Sequence, residues 1–173
     1  AYADQYKAYF RIYSRCGLPC VAVGADSGMM GGKVSHEYMY LSPIGEDTII
    51  TCPECGYTAN RQIASFKKEY YKEEMLPLEK VSTPDTKTIE ELTALLKIGP
   101  EKTCKMVFMG GAFINDKTGE EEDKLVVAAI RGGMDVEESK LSNAIKANAL
   151  RPAHPEEIEE YGMVPGFASP IGA

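Results

Sequence analysis

Ala25-Asp26-Ser27-Gly28-Met29-Met30-Gly31-Gly32-Lys33-Val34-Ser35-His36-Glu37 sets three glycines, an acid and a Ser-His-Glu triplet between two strand-like runs. Glycine tolerates positive φ and lets backbone N–H groups approach a ligand, so Gly28, Gly31 and Gly32 suit a loop folded over a small polar molecule. Their spacing matches neither the dinucleotide fingerprint nor the phosphate loop. Taken alone, they read first as a plain connection beside a core histidine. Ser35, His36 and Glu37 are adjacent, and adjacent strand residues point to opposite faces, so they form no proton-relay triad.

Outward from this stretch, Cys20-Val21-Ala22-Val23 reads as a buried strand leading into the loop, and His36 to Leu41 alternates as the strand leaving it. Thr48–Thr51 reads as a third strand, and short turns between the three favour antiparallel pairing. Tyr2, Tyr6, Tyr9, Phe10 and Tyr13 recur at helical spacing ahead of Gly17, which predicts a helix over 3–15 with an aromatic face. Such a stripe stacks on bases in some proteins, but core packing is the simpler reading. Asn60 to Lys68 reads as a second helix, with Ile63, Ala64 and Phe66 docking on the sheet.

Val23-Gly24-Ala25-Asp26-Ser27-Gly28, Gly31-Gly32, Ser35-His36-Glu37, Gly45-Glu46-Asp47 and Tyr57-Thr58-Ala59-Asn60 together resemble the segment following motif 2 in bacterial-type prolyl-tRNA synthetases. Gly24 departs from that pattern, where an acidic or amide residue is usual. The resemblance implies part of a class II catalytic domain built on an antiparallel sheet. It places Asp26, Gly28, Ser35, His36 and Glu37 near a proline pocket, with Glu37 or His36 meeting the secondary ammonium of proline.

The chain has 173 residues, 44% apolar and 26% charged, which excludes a disordered polymer. No apolar run approaches the roughly 20 residues of a membrane span, and no secretory leader pattern opens the chain, so a cytoplasmic address is expected. The net charge of −7 is unevenly spread. Residues 1–70 hold seven Lys+Arg and seven Asp+Glu, which leaves 19 − 7 = 12 basic and 26 − 7 = 19 acidic side chains beyond them. A surface of that sign does not grip a nucleic-acid backbone by charge alone, so RNA would be delivered by another part of a longer protein. Five cysteines without a leader argue for reduced thiols. Cys52-Pro53-Glu54-Cys55-Gly56 resembles half a zinc knuckle and Cys16 with Cys20 could complete it, although C-x3-C is a poor partner pair. A tight strand-to-helix turn is the simpler reading, and no metal site is assigned.

Residues 71–80 combine charge with proline and lose periodicity, which marks a linker between residues 1–70 and 81–173. Beyond it, Thr88-Ile89-Glu90-Glu91 is a capping box opening a helix that Gly99-Pro100 ends. Thr103–Met109 and Leu125–Ile130 read as antiparallel strands joined through the turn Asp116-Lys117-Thr118-Gly119. Asp135-Val136-Glu137-Glu138 reads as a second capping box for a helix to about Ala147, and Pro155 and Gly162 frame a short last helix. The Gly- and Pro-rich tail from Val164 to Ala173 reads as a chain stopping inside a domain. Lys105, among apolar β residues, looks like an edge-strand charge reaching water.

Thr83-Pro84, Thr88-Ile89-Glu90-Glu91-Leu92, Glu101-Lys102-Thr103-Cys104-Lys105, Arg131-Gly132, Lys140-Leu141 and Gly166-Phe167-Ala168-Ser169-Pro170 resemble, in that order, the editing domain inserted in the same synthetases. The fold class implied is α+β: a partial class II synthetase antiparallel sheet with helices, followed by a mixed α/β editing domain like the free-standing aminoacyl-tRNA deacylases. The resemblance makes Lys105 the catalytic candidate for hydrolysis of alanyl-tRNA(Pro). It places Thr83, Leu92, Thr103, Gly132 and Gly133 at the editing pocket. Gly133 and Glu137 depart from the family's Arg-Gly-Asp and following asparagine. The full-length enzyme is expected to ligate proline to tRNA(Pro) with ATP and Mg2+ and to be a homodimer, whereas editing needs no cofactor. The ATP-binding arginine motifs have no counterpart here, so the chain alone is not expected to form prolyl-adenylate. Two other readings are a stand-alone aminoacyl-tRNA deacylase and a zinc-stabilised interaction module. A second sieve has a physical reason: a proline-sized pocket excludes alanine by only about 1–3 kcal/mol per missing methylene.

Overall fold

A computed structural model describes residues 1–28, 31–32, 34–68, 70 and 72–171. Met29, Met30 and Lys33 of the glycine-rich stretch, Tyr71 of the expected linker and the last two residues of the tail lie outside the described residues. The chain divides into two compact units, Ala1–Glu69 and Tyr70–Ala173.

In the first unit, helix α1 (Tyr2–Arg15) precedes β1 (Cys20–Ala25), β2 (Ser35–Tyr40), β3 (Ile49–Thr51) and β4 (Thr58–Asn60). The aromatic stripe of α1 is a packing face, with the rings of Tyr6, Tyr9, Phe10 and Tyr13 lying 5.0–5.8 Å from that of Tyr38 on β2. Tyr38 donates its hydroxyl to the Tyr6 carbonyl at 2.9 Å. Burial, and the other tyrosines around it, push its pKa up.

The sheet order is β2-β1-β4-β3. β1 and β2 are antiparallel, as are β3 and β4, but β4 runs parallel to β1 through Gly24 and Ala59. The all-antiparallel arrangement expected from short turns is therefore corrected. A three-residue strand, Thr-Ala-Asn, inserts between β1 and β3 and carries no alternation to announce itself. The helix expected over Asn60–Lys68 is corrected too. One turn forms, with the Ile63 and Ala64 N–H groups donating to the Asn60 carbonyl. Ser65 N–H then donates to the Tyr57 hydroxyl at 3.0 Å. That takes the donor a helix would have given to the Arg61 carbonyl. Ala64 is buried while Phe66 is exposed.

In the second unit, α2 (Ile89–Leu96) leads through a 3-10 turn (Pro100–Lys102) to β5 (Cys104–Ile114) and β6 (Glu121–Arg131). Then follow α3 (Glu138–Ile145), β7 (Ala149–Pro152) and α4 (Pro155–Glu160). The capping box of α2 is complete: Thr88 Oγ1 accepts from Glu91 N–H, and the Glu91 carboxylate accepts from the N–H groups of Thr88 and Lys87. The helix stops at Lys97, which is left-handed at φ +54°, two residues before the expected Gly99.

The three-stranded sheet has the order β6-β5-β7 and is antiparallel throughout. Both long strands overrun their expected ends and meet at the Asn115–Glu120 turn, where Asn115 Oδ1 accepts from Lys117 N–H and Thr118 N–H. β7 has no precedent in the sequence reading. Met109, Ala147 and Ile158 are buried in this unit. Arg151 on β7 makes a two-pronged contact with Glu157 on α4, at 2.8 and 2.6 Å.

Candidate functional site

The first unit presents its candidate residues at one end of the β1–β2 hairpin. Ser35 pairs with Ala25, so Asp26 and Gly28 leave β1 where Ser35 enters β2. The loop folds on itself, with Gly31 N–H donating to the Gly28 carbonyl at 3.1 Å and Ser27 Oγ to that of Gly32 at 3.4 Å. His36 and Glu37 part company, because alternation sends them to opposite faces. His36 turns toward α1: its Nδ1 lies 2.7 Å from the Tyr2 hydroxyl, and the Tyr6 ring meets it edge-on at 5.2 Å. Glu37 is exposed. The sequence gives no signal for the Tyr2–His36 contact, which joins residues 34 positions apart.

In the second unit Lys105 lies on β5, the central strand, opposite Ile130 of β6. β7 pairs with Met109–Ala112 only, so it does not reach Lys105. Lys105 thus lies on the strand that is central in the sheet order, but in a segment that pairs with β6 alone, which agrees with the expected edge position. Its Nζ reaches Asp135 Oδ1 at 2.8 Å, with the lysine side chain 29% exposed and the aspartate 86%. Asp135 does not start α3. Glu137 is the cap instead, its side chain accepting from Lys140 N–H at 3.1 Å. The loop from Gly132 to Glu137 thus sends one carboxylate to the lysine and another to the helix.

Thr103, Gly132 and Gly133 come together at the base of this loop. Gly132 N–H donates to the Thr103 carbonyl at 2.9 Å, and Thr103 Oγ1 donates to the Pro100 carbonyl at 2.8 Å. A Cβ on Gly132 would sit 1.9 Å from Thr103 Oγ1 and 3.1 Å from the Ile89 side chain. On Gly133 it would meet only Pro100, at 3.5 Å. Thr103 is buried, so it shapes the floor of the loop. Thr83 and Leu92 are half-buried. Among the described residues no group of three or more His, Cys, Asp or Glu side chains could hold a metal ion, so Cys16 and Cys20 do not join Cys52 and Cys55 as a ligand set. No described helix is long and apolar enough to cross a membrane.

Residues 83–173 match the aminoacyl-tRNA editing domain family, which takes in more than half of the chain: the chain belongs to that family. The similarity extends through the first unit as well. Over 172 residues the chain is 42% identical to the proline–tRNA ligase of Salinispora tropica, over 173 residues 44% identical to that of Dehalococcoides mccartyi (strain 195), and over 174 residues 41% identical to that of Bacillus subtilis. Each alignment takes in 99% of this chain and 29% of the relative, so the chain spans under a third of the length of the curated relatives it matches.

Proposed function

We propose that this chain is the part of a bacterial-type proline–tRNA ligase that joins a piece of the class II catalytic domain, residues 1–70, through a linker at 71–80 to the editing domain, residues 81–173. In the whole enzyme, ATP-dependent ligation of proline to tRNA(Pro) is followed by hydrolysis of mischarged alanyl-tRNA(Pro) at the second unit. The observation that carries this reading is the unbroken similarity to proline–tRNA ligases across both units. A stand-alone deacylase would have no use for the Asp26-to-Glu37 hairpin.

At the ligation site Glu37, exposed and on the face away from α1, is the carboxylate for the secondary ammonium of proline, and Asp26, Gly28 and Ser35 shape the hairpin end beside it. His36, held by Tyr2, keeps β2 on α1. ATP with Mg2+ supplies the activation of proline.

At the editing site a water attacks the ester carbonyl linking alanine to the terminal ribose. Lys105 brings the positive charge, placed to hold an anionic group of the substrate, the terminal phosphate or the developing oxyanion. Asp135 orients the ammonium and supplies, two residues further on, the carboxylate absent at Gly133. Thr103, Gly132 and Gly133 set the loop's height, with Thr83 and Leu92 as further lining residues, and no cofactor takes part. The enzyme works as a homodimer through regions outside this chain. The test is to assay the full-length protein for both reactions: prolylation of tRNA(Pro) together with alanyl-tRNA(Pro) hydrolysis is expected. Hydrolysis without any prolylation would transfer the assignment to a deacylase.

A further inference from the structure

The turn between β3 and β4 consists of Cys52, Pro53, Glu54, Cys55 and Gly56, and its backbone is closed twice. Cys52 N–H donates to the Tyr57 carbonyl at 2.8 Å, and Gly56 N–H donates to the Cys52 carbonyl at 3.0 Å. Thr51 and Thr58 pair directly behind it in the ladder. Pro53 fixes φ immediately after the first cysteine, and Gly56 takes φ +73°, which an L side chain rarely adopts. These backbone bonds and the two residue types together hold the loop in this shape.

That shape sets Cys52 and Cys55 three positions apart on one closed turn. Hydrogen bonding from the Cys55 N–H first, then from the Cys55 thiol and the Glu54 N–H, draws the Cys52 thiol's pKa below its usual value against a smaller opposing effect of burial. Cys55 is exposed and Cys52 half-buried. No third ligand joins them among the described residues, so the turn presents a pair of thiols to solvent rather than a closed metal site.

We propose that Cys52 and Cys55 form a redox-active dithiol, a modification site at which a peroxide converts the pair to an intramolecular disulfide. The Cys52 thiolate attacks one peroxide oxygen: an S–O bond forms, the O–O bond breaks, and the departing hydroxide leaves as water once protonated. The Cys55 sulfur then attacks the sulfur of the Cys52 sulfenic acid. An S–S bond forms, the S–O bond breaks, and the Cys55 proton leaves with the hydroxide as a second water. Two thiols lose two electrons in all, and one peroxide is reduced to two waters. Cys52 is the residue that attacks the peroxide because its thiol is the one drawn toward the thiolate, and Cys55, exposed on the same turn, resolves.

The test uses the purified full-length protein, hydrogen peroxide and peptide mass mapping. Tryptic cleavage gives a peptide from Val34 to Arg61 that holds both cysteines and no other. After peroxide and then alkylation, this peptide is expected to be two hydrogens lighter and unalkylated, and a dithiol reductant restores it. In the untreated protein Cys52 should alkylate about tenfold faster than Cys104. C55S should stop at a Cys52 sulfenic acid that a 1,3-dione captures, whereas C52S should leave Cys55 unoxidised. Three results would overturn the proposal: both cysteines of the peptide still alkylated after treatment, a disulfide forming no faster in the folded protein than in urea, or stoichiometric zinc shielding the pair.

Discussion

Gly132→Ala probes the floor of the editing loop. The new Cβ would stand 1.9 Å from Thr103 Oγ1 and 3.1 Å from two carbons of Ile89. Neither neighbour can yield freely, since Thr103 is buried and its hydroxyl already serves the Pro100 carbonyl. Over-packing of this kind costs about 1–3 kcal/mol. Turning the Thr103 hydroxyl away sacrifices its hydrogen bond, about 1 kcal/mol more. The second unit should therefore lose about 2–4 kcal/mol of stability. Gly133→Ala is the matched control. Its Cβ would meet Pro100 at 3.5 Å, ordinary contact, so the change should stay within about 0.5 kcal/mol. Urea denaturation monitored on the second unit gives both numbers. If the clash is the cause, Thr103→Ala combined with Gly132→Ala costs less than the sum of the two single changes. Strict additivity, or a Gly133→Ala protein less stable than Gly132→Ala, would refute the argument.

Other consequences are open to measurement. Asp135→Asn should lower alanyl-tRNA(Pro) hydrolysis roughly ten- to a hundredfold through kcat, with Asp135→Glu restoring part of it, because the partner that aims the Lys105 ammonium is lost. Thr88→Ala removes the side-chain acceptor at the start of α2 and should cost about 1 kcal/mol in a urea titration. Glu157 is held at a pKa of about 2, against an ordinary 4.5, by Arg151 first and then by the His154 N–H. A lowered carboxylate pKa contributes stability that is complete above about 4.5 and disappears as pH falls toward 2. Acid unfolding followed by circular dichroism should therefore be less steep across that window in Glu157→Gln.

Much of the architecture was legible where local chemistry decides it. The aromatic spacing of residues 2–13, the Thr88–Glu91 box and the turn before Gly119 each name their element through a period, a cap or a turn residue. The failures lie where a distant partner takes over. Tyr57 takes the Ser65 N–H at the place where the apolar pattern of Ile63, Ala64 and Phe66 predicts a helix. β4 is three residues long and runs parallel to β1 through a single residue pair, which no periodicity could forecast. At the site, Lys105 could be picked out as an unusual residue and by resemblance, but Asp135 looked like a helix cap. Only the folded loop brings the two charges together across 30 residues and hands the cap to Glu137. The separation of His36 from Glu37 followed from strand alternation. Which of them α1 would claim did not.

The account turns on the ammonium of Lys105 acting in hydrolysis and not in ligation. The most direct measurement compares full-length wild type with Lys105→Ala for deacylation of alanyl-tRNA(Pro) and for prolylation of tRNA(Pro). Deacylation should fall by about 10²-fold or more while prolylation is unchanged. Undiminished deacylation in the variant, or equal loss of both reactions, would contradict it.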